Sequence, residues 1–395
     1  MIDLQMHACD EHCSTDCQEG RAKSVVRSGG LTIDVHCHAY SSEAEKLASA
    51  SPKKHREDEE FRAQMGEASV RHNHEVMLPR VAQRLMSVEQ RLADMEAMGV
   101  DVQLISPAPA QYYYWADREL AEQLVRVQNH AIAALCQQYP RHFIGLGMVS
   151  LQHPDLAIQQ LEYACETLGL LGVEVSTCVE GAELSDPLFR PFWKRCEELG
   201  AVIFIHPFAS RVGDRLVPYY LSNVIGQPLE TTLALSHLIF SGTLDRFPDL
   251  RILAAHGGGY LPHYSGRSDH GAGVRPECAQ LKQKPSEYLR NIWFDSLVYN
   301  SADLHHLIQQ VGLERVVLGT DYPFDMGFYD CHSLVRELPD LDDHQRQQIL
   351  SANAIAMLQR LDLAILDRSS LPVSPVSASS GVDTDKVDTS LKERL

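Results

Sequence analysis

The chain contains eight short hydrophobic runs rich in β-branched residues, separated by longer stretches with helical periodicity. The runs are nearly continuously apolar rather than alternating, which is typical of parallel strands buried on both faces. In chain order the runs span residues 31–39, 100–108, 142–151, 170–178, 201–209, 250–259, 291–299 and 315–324. This pattern predicts eight parallel strands in one domain.

Amphipathic patterns between the runs predict the helices that connect the strands. The clearest of these patterns cover residues 87–99, 119–139, 155–169 and 186–200. Three of them end in glycine directly before the next strand, as helix C-caps commonly do. Repeated strand–helix alternation favours a (β/α)₈ TIM barrel. An open doubly wound sheet is the alternative, but the glycine-rich phosphate loop expected after its first strand is missing.

Three segments extend beyond a minimal barrel, which we assign to residues 31–365. Residues 40–86 form a charged insertion after the first strand, where a cap or lid over the catalytic face is expected. Residues 1–30 are polar, and residues 366–395 are rich in Ser, Pro and Asp. Such compositions predict disordered termini.

Composition narrows the range of partners. The 395 residues include 35 Lys and Arg and 53 Asp and Glu, giving a formal net charge of −18. An acidic chain repels phosphate backbones, so nucleic acid is not expected as a partner. No apolar run is long enough to span a membrane, and the N-terminus lacks an apolar signal segment. We therefore predict a cytoplasmic enzyme whose ten cysteines are reduced thiols.

Residues able to bind metals stand at the ends of four predicted strands. His36 and His38 end the first, His206 the fifth, His256 the sixth and Asp321 the eighth. Side chains alternate along a strand, so His36 and His38 share a face. The carboxyl ends of barrel strands converge on one rim, where barrel enzymes have their active sites. The sequence therefore predicts one shared metal site.

The ordered motifs HxH, HP, HGGG and GTDYPF resemble those of the amidohydrolase-2 branch of the amidohydrolase superfamily. Within that branch, the chain is most similar to the aminocarboxymuconate-semialdehyde decarboxylases. The resemblance covers about residues 31–360 and includes PSEY (285–288) and FDSLVYN (294–300). It implies that four of the strand-end residues bind one Zn²⁺ ion, namely His36, His38, His206 and Asp321. Mn²⁺ or Co²⁺ accepts similar ligands.

The same resemblance implies catalytic roles for His256 and for the metal ligand Asp321. His256 is expected to stay off the metal and to deprotonate its bound water. Zinc can lower the pKa of bound water from about 15.7 to near 7, and a neutral imidazole can accept the proton. Asp34 is expected either to orient a ligand or to support the first strand.

The resemblance also implies substrate-binding residues, which are Arg80, Arg267, Arg275, Tyr219 and Phe208. An arginine fork can hold a carboxylate through two parallel hydrogen bonds. The arginine that matches Arg267 reaches into the neighbouring subunit, so a homodimer is expected. Tyr219 and Phe208 are expected to line the pocket.

These observations predict a zinc-dependent non-oxidative decarboxylase of a small unsaturated or aromatic carboxylate. The alternative is a metal-dependent hydrolase or hydratase acting on a lactone, amide or enol carboxylate, because one fold supports several reactions. A barrel that binds a ligand without turnover is a third possibility. Substituting His256 by Ala would separate the third from the others, since only a catalyst should lose turnover.

Overall fold

The computed structural model describes residues 30–210, 212–278, 280–362 and 364. The predictions for the two termini therefore lie outside the described residues. The remainder of the chain folds around a ring of short parallel strands, each followed by helical segments. The predicted α/β barrel is confirmed.

Eight strands form the barrel in the order of the sequence. They are β1 (Ile33–Ala39), β2 (Val102–Pro107), β3 (Phe143–Gly145, continued by Gly147–Met148), β4 (Gly172–Val175), β5 (Val202–Ile205), β6 (Arg251–Ala254), β7 (Trp293–Asp295) and β8 (Val316–Val317). Each pairs in parallel with the next. The ring closes because the Val35 amide donates to the Leu318 carbonyl at 2.9 Å. Most strands end earlier than the hydrophobic runs predict, since the residues that follow them turn out of the sheet.

The helices outside the strands follow the predicted pattern. The longer ones are Val88–Met98, Arg118–Gln138, Pro154–Glu162, Arg190–Leu199, Gln227–Phe240, Ser265–Val274 and Ser301–Val311. Short helices Cys331–Arg336, Asp343–Gln347 and Asn353–Met357 complete the ring. Gly99 and Gly200 cap two of these helices in the left-handed conformation, as the sequence predicts.

Two layers of buried hydrophobic side chains hold the barrel together. The inner layer draws residues from strands around the whole ring, including Val35, Leu104, Phe204 and Leu253. The outer layer packs the other strand face against the helices. The nearly continuous apolar runs follow from this arrangement, because both faces of each strand are buried.

The insertion at 40–86 folds into four helices with a π-helical turn at Asn73–Met77. The helices are Ser42–Ala48, Pro52–Met65, Glu67–His72 and Leu78–Met86. Lys53 Nζ donates to the Trp115 carbonyl at 3.0 Å, and the buried Lys54 Nζ lies 5.6 Å from the centre of the Tyr113 ring. These contacts attach the insertion to the loop after β2.

Two further features bear on the environment of the chain. Within the described ranges, no helix combines the length and the apolar character needed to cross a membrane. The cysteines in those ranges are all free thiols.

Candidate active site

Four side chains from three strand ends converge on one point. The Nε2 atoms of His36 and His38 lie 3.2 Å apart. They lie 3.5 Å and 3.3 Å, respectively, from Oδ1 of Asp321. With His206, one ligand atom from each residue lies within 4.8 Å of the others, and all four residues are buried. The structure thus brings the predicted ligand set together.

Hydrogen bonds behind the first two histidines fix which nitrogen faces this point. His36 Nδ1 lies 2.7 Å from Oδ2 of Asp295, and His38 Nδ1 lies 3.1 Å from the Pro107 carbonyl. Both partners accept, so each Nδ1 carries the proton and each Nε2 keeps a lone pair. This arrangement of outer partners is the one that metal-binding histidines usually have.

His206 supplies the test of whether these residues fit a metal ion. It is buried, yet neither of its ring nitrogens makes a hydrogen bond to a described residue. Buried polar atoms are nearly always paired, so a nitrogen without a partner needs an explanation. Burial and the neighbouring imidazoles hold the pKa of His206 well below its usual value, which leaves the ring neutral. A neutral imidazole that faces three other ligand atoms fits a divalent cation.

The charges around the centre favour a cation. Burial alone would lower the pKa of His36, but the carboxylates of Asp321 and Asp295 raise it to about 9. Burial would likewise raise the pKa of Asp321, but His36, His256 and His38 hold it well below its usual range. The carboxylates are therefore ionised and stabilise positive charge at this point, carried by a proton or by a metal ion.

Asp295, at the end of β7, links the metal ligands to His256. Its Oδ2 accepts the His256 amide at 2.9 Å, and its Oδ1 accepts the Gly257 amide at 2.7 Å. His256 adopts a positive φ of 55°, and its Nε2 lies 3.9 Å from Oδ2 of Asp321. A Cβ on Gly257, whose φ is 60°, would lie 2.5 Å from Cγ1 of Val298. The turn that places His256 beside the centre thus requires glycine at this position.

Asp34 ties β1 to the loop that carries Asp321. Its carboxylate accepts the Thr320 hydroxyl at 2.5 Å, the Thr320 amide at 3.1 Å and the His36 amide at 3.2 Å. Asp321 follows with a φ of 60°. Of the two roles expected for Asp34, these contacts favour the one that orients ligands, because they hold the backbone next to His36 and Asp321.

A cavity of about 560 Å³ opens above the ligands. We call His206, His256 and Asp321 its floor. Its roof comes from the 40–86 insertion and comprises Phe61, Met65, Asn73 and Met77, and its walls include Phe208, Tyr220, Tyr260, Tyr299 and Phe324. The Phe61 and Phe208 rings stack with centroids 5.1 Å apart. Flat, apolar walls of this kind suit a planar organic substrate.

The predicted substrate-binding residues are only partly brought to this cavity. Phe208 lines it. Tyr219 is 90% exposed, whereas the adjacent Tyr220 lines the cavity. Both tyrosines have positive φ, and this tight turn directs their side chains to different environments.

The three predicted arginines do not line the cavity of the single chain. Arg80, Arg267 and Arg275 are exposed, and Arg275 pairs with Glu277 at 2.8 Å. A role in substrate binding for any of them stays a prediction, and for Arg267 it requires a second subunit.

Two buried carboxylates were missed in the sequence. Asp295 is the last residue of β7, so the strand-end rule that identified the ligands applies to it as well. Glu174 is a single acidic residue within the apolar run of β4, 3.7 Å from His38 Nδ1. Burial raises the pKa of Glu174, and Tyr112 donates a hydrogen bond to it. An isolated charge in a buried strand is the signal that could have identified it.

Known proteins resemble this chain in sequence and in fold. The model of the amidohydrolase family matches residues 33–360. The 2-amino-3-carboxymuconate-6-semialdehyde decarboxylase of Dictyostelium discoideum is 36% identical over 270 residues, covering 68% of this chain and 75% of that protein. These matches confirm the resemblance found in the sequence.

Solved structures agree with this assignment. The 5-carboxyvanillate decarboxylase of Sphingomonas paucimobilis is 25% identical with a TM-score of 0.72, covering 83% of this chain and 99% of that one. A 5-carboxyvanillate decarboxylase from Novosphingobium aromaticivorans was solved with manganese and 4-hydroxy-3-methoxy-5-nitrobenzoic acid. It is 24% identical with a TM-score of 0.75, covers 84% of this chain and 96% of that one, and supports the fold. The chain therefore belongs to the amidohydrolase family, and these relatives are carboxy-lyases.

Proposed function

We propose that the protein is a metal-dependent, non-oxidative decarboxylase of a small unsaturated or aromatic carboxylate. The observation that carries the proposal is the cluster of ligands at the base of the cavity, where four ligand atoms lie within 4.8 Å of one another beside His256. The decarboxylase relatives support the choice of reaction.

Zn²⁺ is the ion we propose, held by His36, His38, His206 and Asp321. Three imidazoles and one carboxylate suit zinc, and they leave room for a further ligand. When bound, the cation would supply Lewis acidity and stabilise negative charge that develops on the substrate. Mn²⁺ is the alternative, since one solved neighbour contains manganese. Elemental analysis of protein purified without added metal separates the two.

His256 is the residue we propose to move protons. Its Nε2 faces the floor 3.9 Å from Asp321 Oδ2, while its backbone is held by Asp295. In this role, Nε2 takes a proton from water in the cavity, which leaves hydroxide, and delivers that proton to the substrate carbon that bears the carboxylate. The bond from that carbon to the carboxylate breaks, its electron pair forms the new C–H bond, and CO₂ leaves and is free to combine with the hydroxide as bicarbonate. A positioned imidazole suits both transfers, because its ordinary pKa lies near neutrality.

The walls are proposed to hold the rest of the substrate. Phe208 and Phe324 offer flat apolar surfaces above the floor, and the insertion covers them with Phe61. A planar substrate that lies between these rings would be shielded from bulk water. Excluding water strengthens the electrostatic interactions that hold the carboxylate over the floor.

The deciding experiment measures CO₂ release by metal-loaded protein from a panel of small carboxylates, including aminocarboxymuconate semialdehyde and hydroxybenzoates. His256→Ala serves as the comparison. We expect CO₂ from the wild type and a rate about 100- to 10,000-fold lower in the variant, which is the usual contribution of general acid–base catalysis. The variant should retain its metal. Equal rates in the two proteins would refute the role of His256.

A hydrolase or hydratase on the same metal site is the alternative, and its products distinguish it. If metal-loaded protein released no CO₂ from any carboxylate but opened a lactone or hydrated an enol, the decarboxylase proposal would fail. The proposed metal centre would remain valid in either case, because both reactions use the same metal ion.

We also propose that the protein forms a homodimer in which Arg267 reaches the partner's cavity. Arg267 lies on the helix Ser265–Val274, next to the exposed Tyr264 and Val274, so this surface combines apolar contact area with a free guanidinium. Light scattering after size-exclusion chromatography tests the dimer. Mixing Arg267→Ala subunits with His256→Ala subunits tests whether each cavity uses an arginine of the other subunit. In a mixed dimer, one cavity combines an intact His256 with the intact Arg267 of the other subunit, so activity should be restored.

A further inference from the structure

Three tyrosines line the cavity, and their hydroxyl groups differ in one respect. Tyr299 donates to the Met326 carbonyl at 3.0 Å, and Tyr260 donates to the Val224 carbonyl at 3.4 Å. The Tyr220 hydroxyl makes no hydrogen bond to any described residue. Among these three tyrosines, it is therefore the one whose hydroxyl proton is free to be donated to a ligand.

The backbone holds Tyr220 in place at an energetic cost. Tyr219 and Tyr220 have φ values of 61° and 59°, and two successive non-glycine residues in this region are unusual. Strain of this kind concentrates at functional sites. Its consequence here is that Tyr219 points outward while Tyr220 lines the cavity.

A carboxylate lies on the same wall. Asp325 lines the cavity, and one of its oxygens lies 3.5 Å from His72 Nε2 of the insertion. Burial, followed by the negative charges of Asp325 and Asp321, raises the pKa of Tyr220, so its phenol stays protonated and can only donate or accept as a neutral group. The cavity lining thus offers a hydroxyl donor and a carboxylate acceptor, and the two are close enough for the charge of Asp325 to raise the pKa of Tyr220.

We propose that Tyr220 and Asp325 form a donor–acceptor pair that recognises a hydroxyl substituent on the substrate carboxylate. The inference rests on the proposed function and narrows its substrate class. A substrate hydroxyl accepts from Tyr220 and donates to Asp325, so both groups are satisfied. A methoxy group accepts but cannot donate. A second carboxylate accepts from Tyr220 but repels Asp325.

The test measures binding to metal-loaded protein by calorimetry, using the three hydroxybenzoate isomers, their methoxybenzoate counterparts and the three benzenedicarboxylates. At least one hydroxybenzoate should bind about 10-fold more tightly than its two counterparts, as expected when a donor and an acceptor are both paired. Tyr220→Phe should weaken that compound about 5- to 10-fold. Asp325→Asn should weaken it as well, while tightening the matching dicarboxylate.

Opposite changes for two ligands in one variant cannot come from misfolding. Tyr163→Phe is the matched control, since Tyr163 is 43% exposed and outside the cavity lining. Its binding should equal that of the wild type. The proposal is overturned if no hydroxybenzoate binds, if dicarboxylates bind better, if Tyr220→Phe changes binding less than about 2-fold, or if Tyr219→Phe has the larger effect.

Assaying CO₂ release with the same compounds keeps the two proposals apart. Tight binding of hydroxybenzoates without CO₂ from any compound would support the pair but refute decarboxylation. Release of CO₂ from dicarboxylates alone would support decarboxylation and overturn the pair.

Discussion

The floor and the roof of the cavity are built in different ways. The floor residues follow barrel strands and are held by groups behind them, such as Asp295, which accepts from His256 and pairs with His36. The roof comes from an insertion and rests on packing, such as the Phe61–Phe208 stack, and on single polar contacts such as that of Ser210 N with Gln64 Oε1 at 3.3 Å. Changes in the floor should therefore affect metal and chemistry, and changes in the roof should affect substrate choice.

The largest effect is expected from His206→Ala. This ring has no hydrogen bond to a described residue, so its removal should cost a metal ligand and leave the metal-free fold almost unchanged. We expect loss of bound metal and a drop in turnover on the order of 1000-fold or more. Elemental analysis and thermal unfolding with and without a chelator measure the two effects.

His237→Ala is the matched control for that variant, because His237 is 45% exposed on the helix Gln227–Phe240. It should bind metal as the wild type does. A His206→Ala protein that kept a full complement of tightly bound metal would contradict the assignment of His206 as a ligand.

A smaller effect on the floor is expected from Asp295→Asn. The side-chain amide of asparagine keeps the size of the carboxylate but has only one oxygen that can accept. The two oxygens of Asp295 accept from His36 Nδ1 and from the backbone amides of His256 and Gly257, and the variant cannot keep all of these hydrogen bonds. Loss of such a partner behind a metal ligand usually lowers metal affinity about 10- to 100-fold. A competition titration against a metal-binding dye measures this. Asp249→Asn, on the surface, should leave the affinity unchanged.

The same contrast explains what could be predicted from the sequence. Eight apolar runs predicted the barrel, and polar residues at the ends of four predicted strands identified the ligands and His256, because strand direction alone brings those ends to one rim. Asp295 obeys the same rule and was overlooked. Glu174 lies within the apolar run that forms β4, and there the hydrophobic pattern predicted burial but no functional role.

The roof was beyond prediction for a physical reason. The insertion was recognised as an addition on the catalytic face, but which of its residues face inward depends on how four short helices pack. Tyr219 and Tyr220 show the same limit: the resemblance led us to expect Tyr219 in the cavity lining, but two successive residues with positive φ direct Tyr219 outward and Tyr220 to the cavity. The proposed reach of Arg267 into a partner subunit likewise depends on a second chain.

The smallest effect is expected from Phe61→Ala in the roof. Removing the ring abolishes the stack on Phe208 and opens one side of the cavity, while every metal ligand keeps its partners. An aromatic contact of this kind contributes about 0.5–1.5 kcal/mol, so we expect KM to rise about 2- to 10-fold, with metal content unchanged. Steady-state kinetics and elemental analysis on the same preparation check both statements. Glu59→Ala, on the exposed face of the same helix, should change neither. Loss of metal in Phe61→Ala would mean that roof and floor are coupled, and the division between them would have to be abandoned.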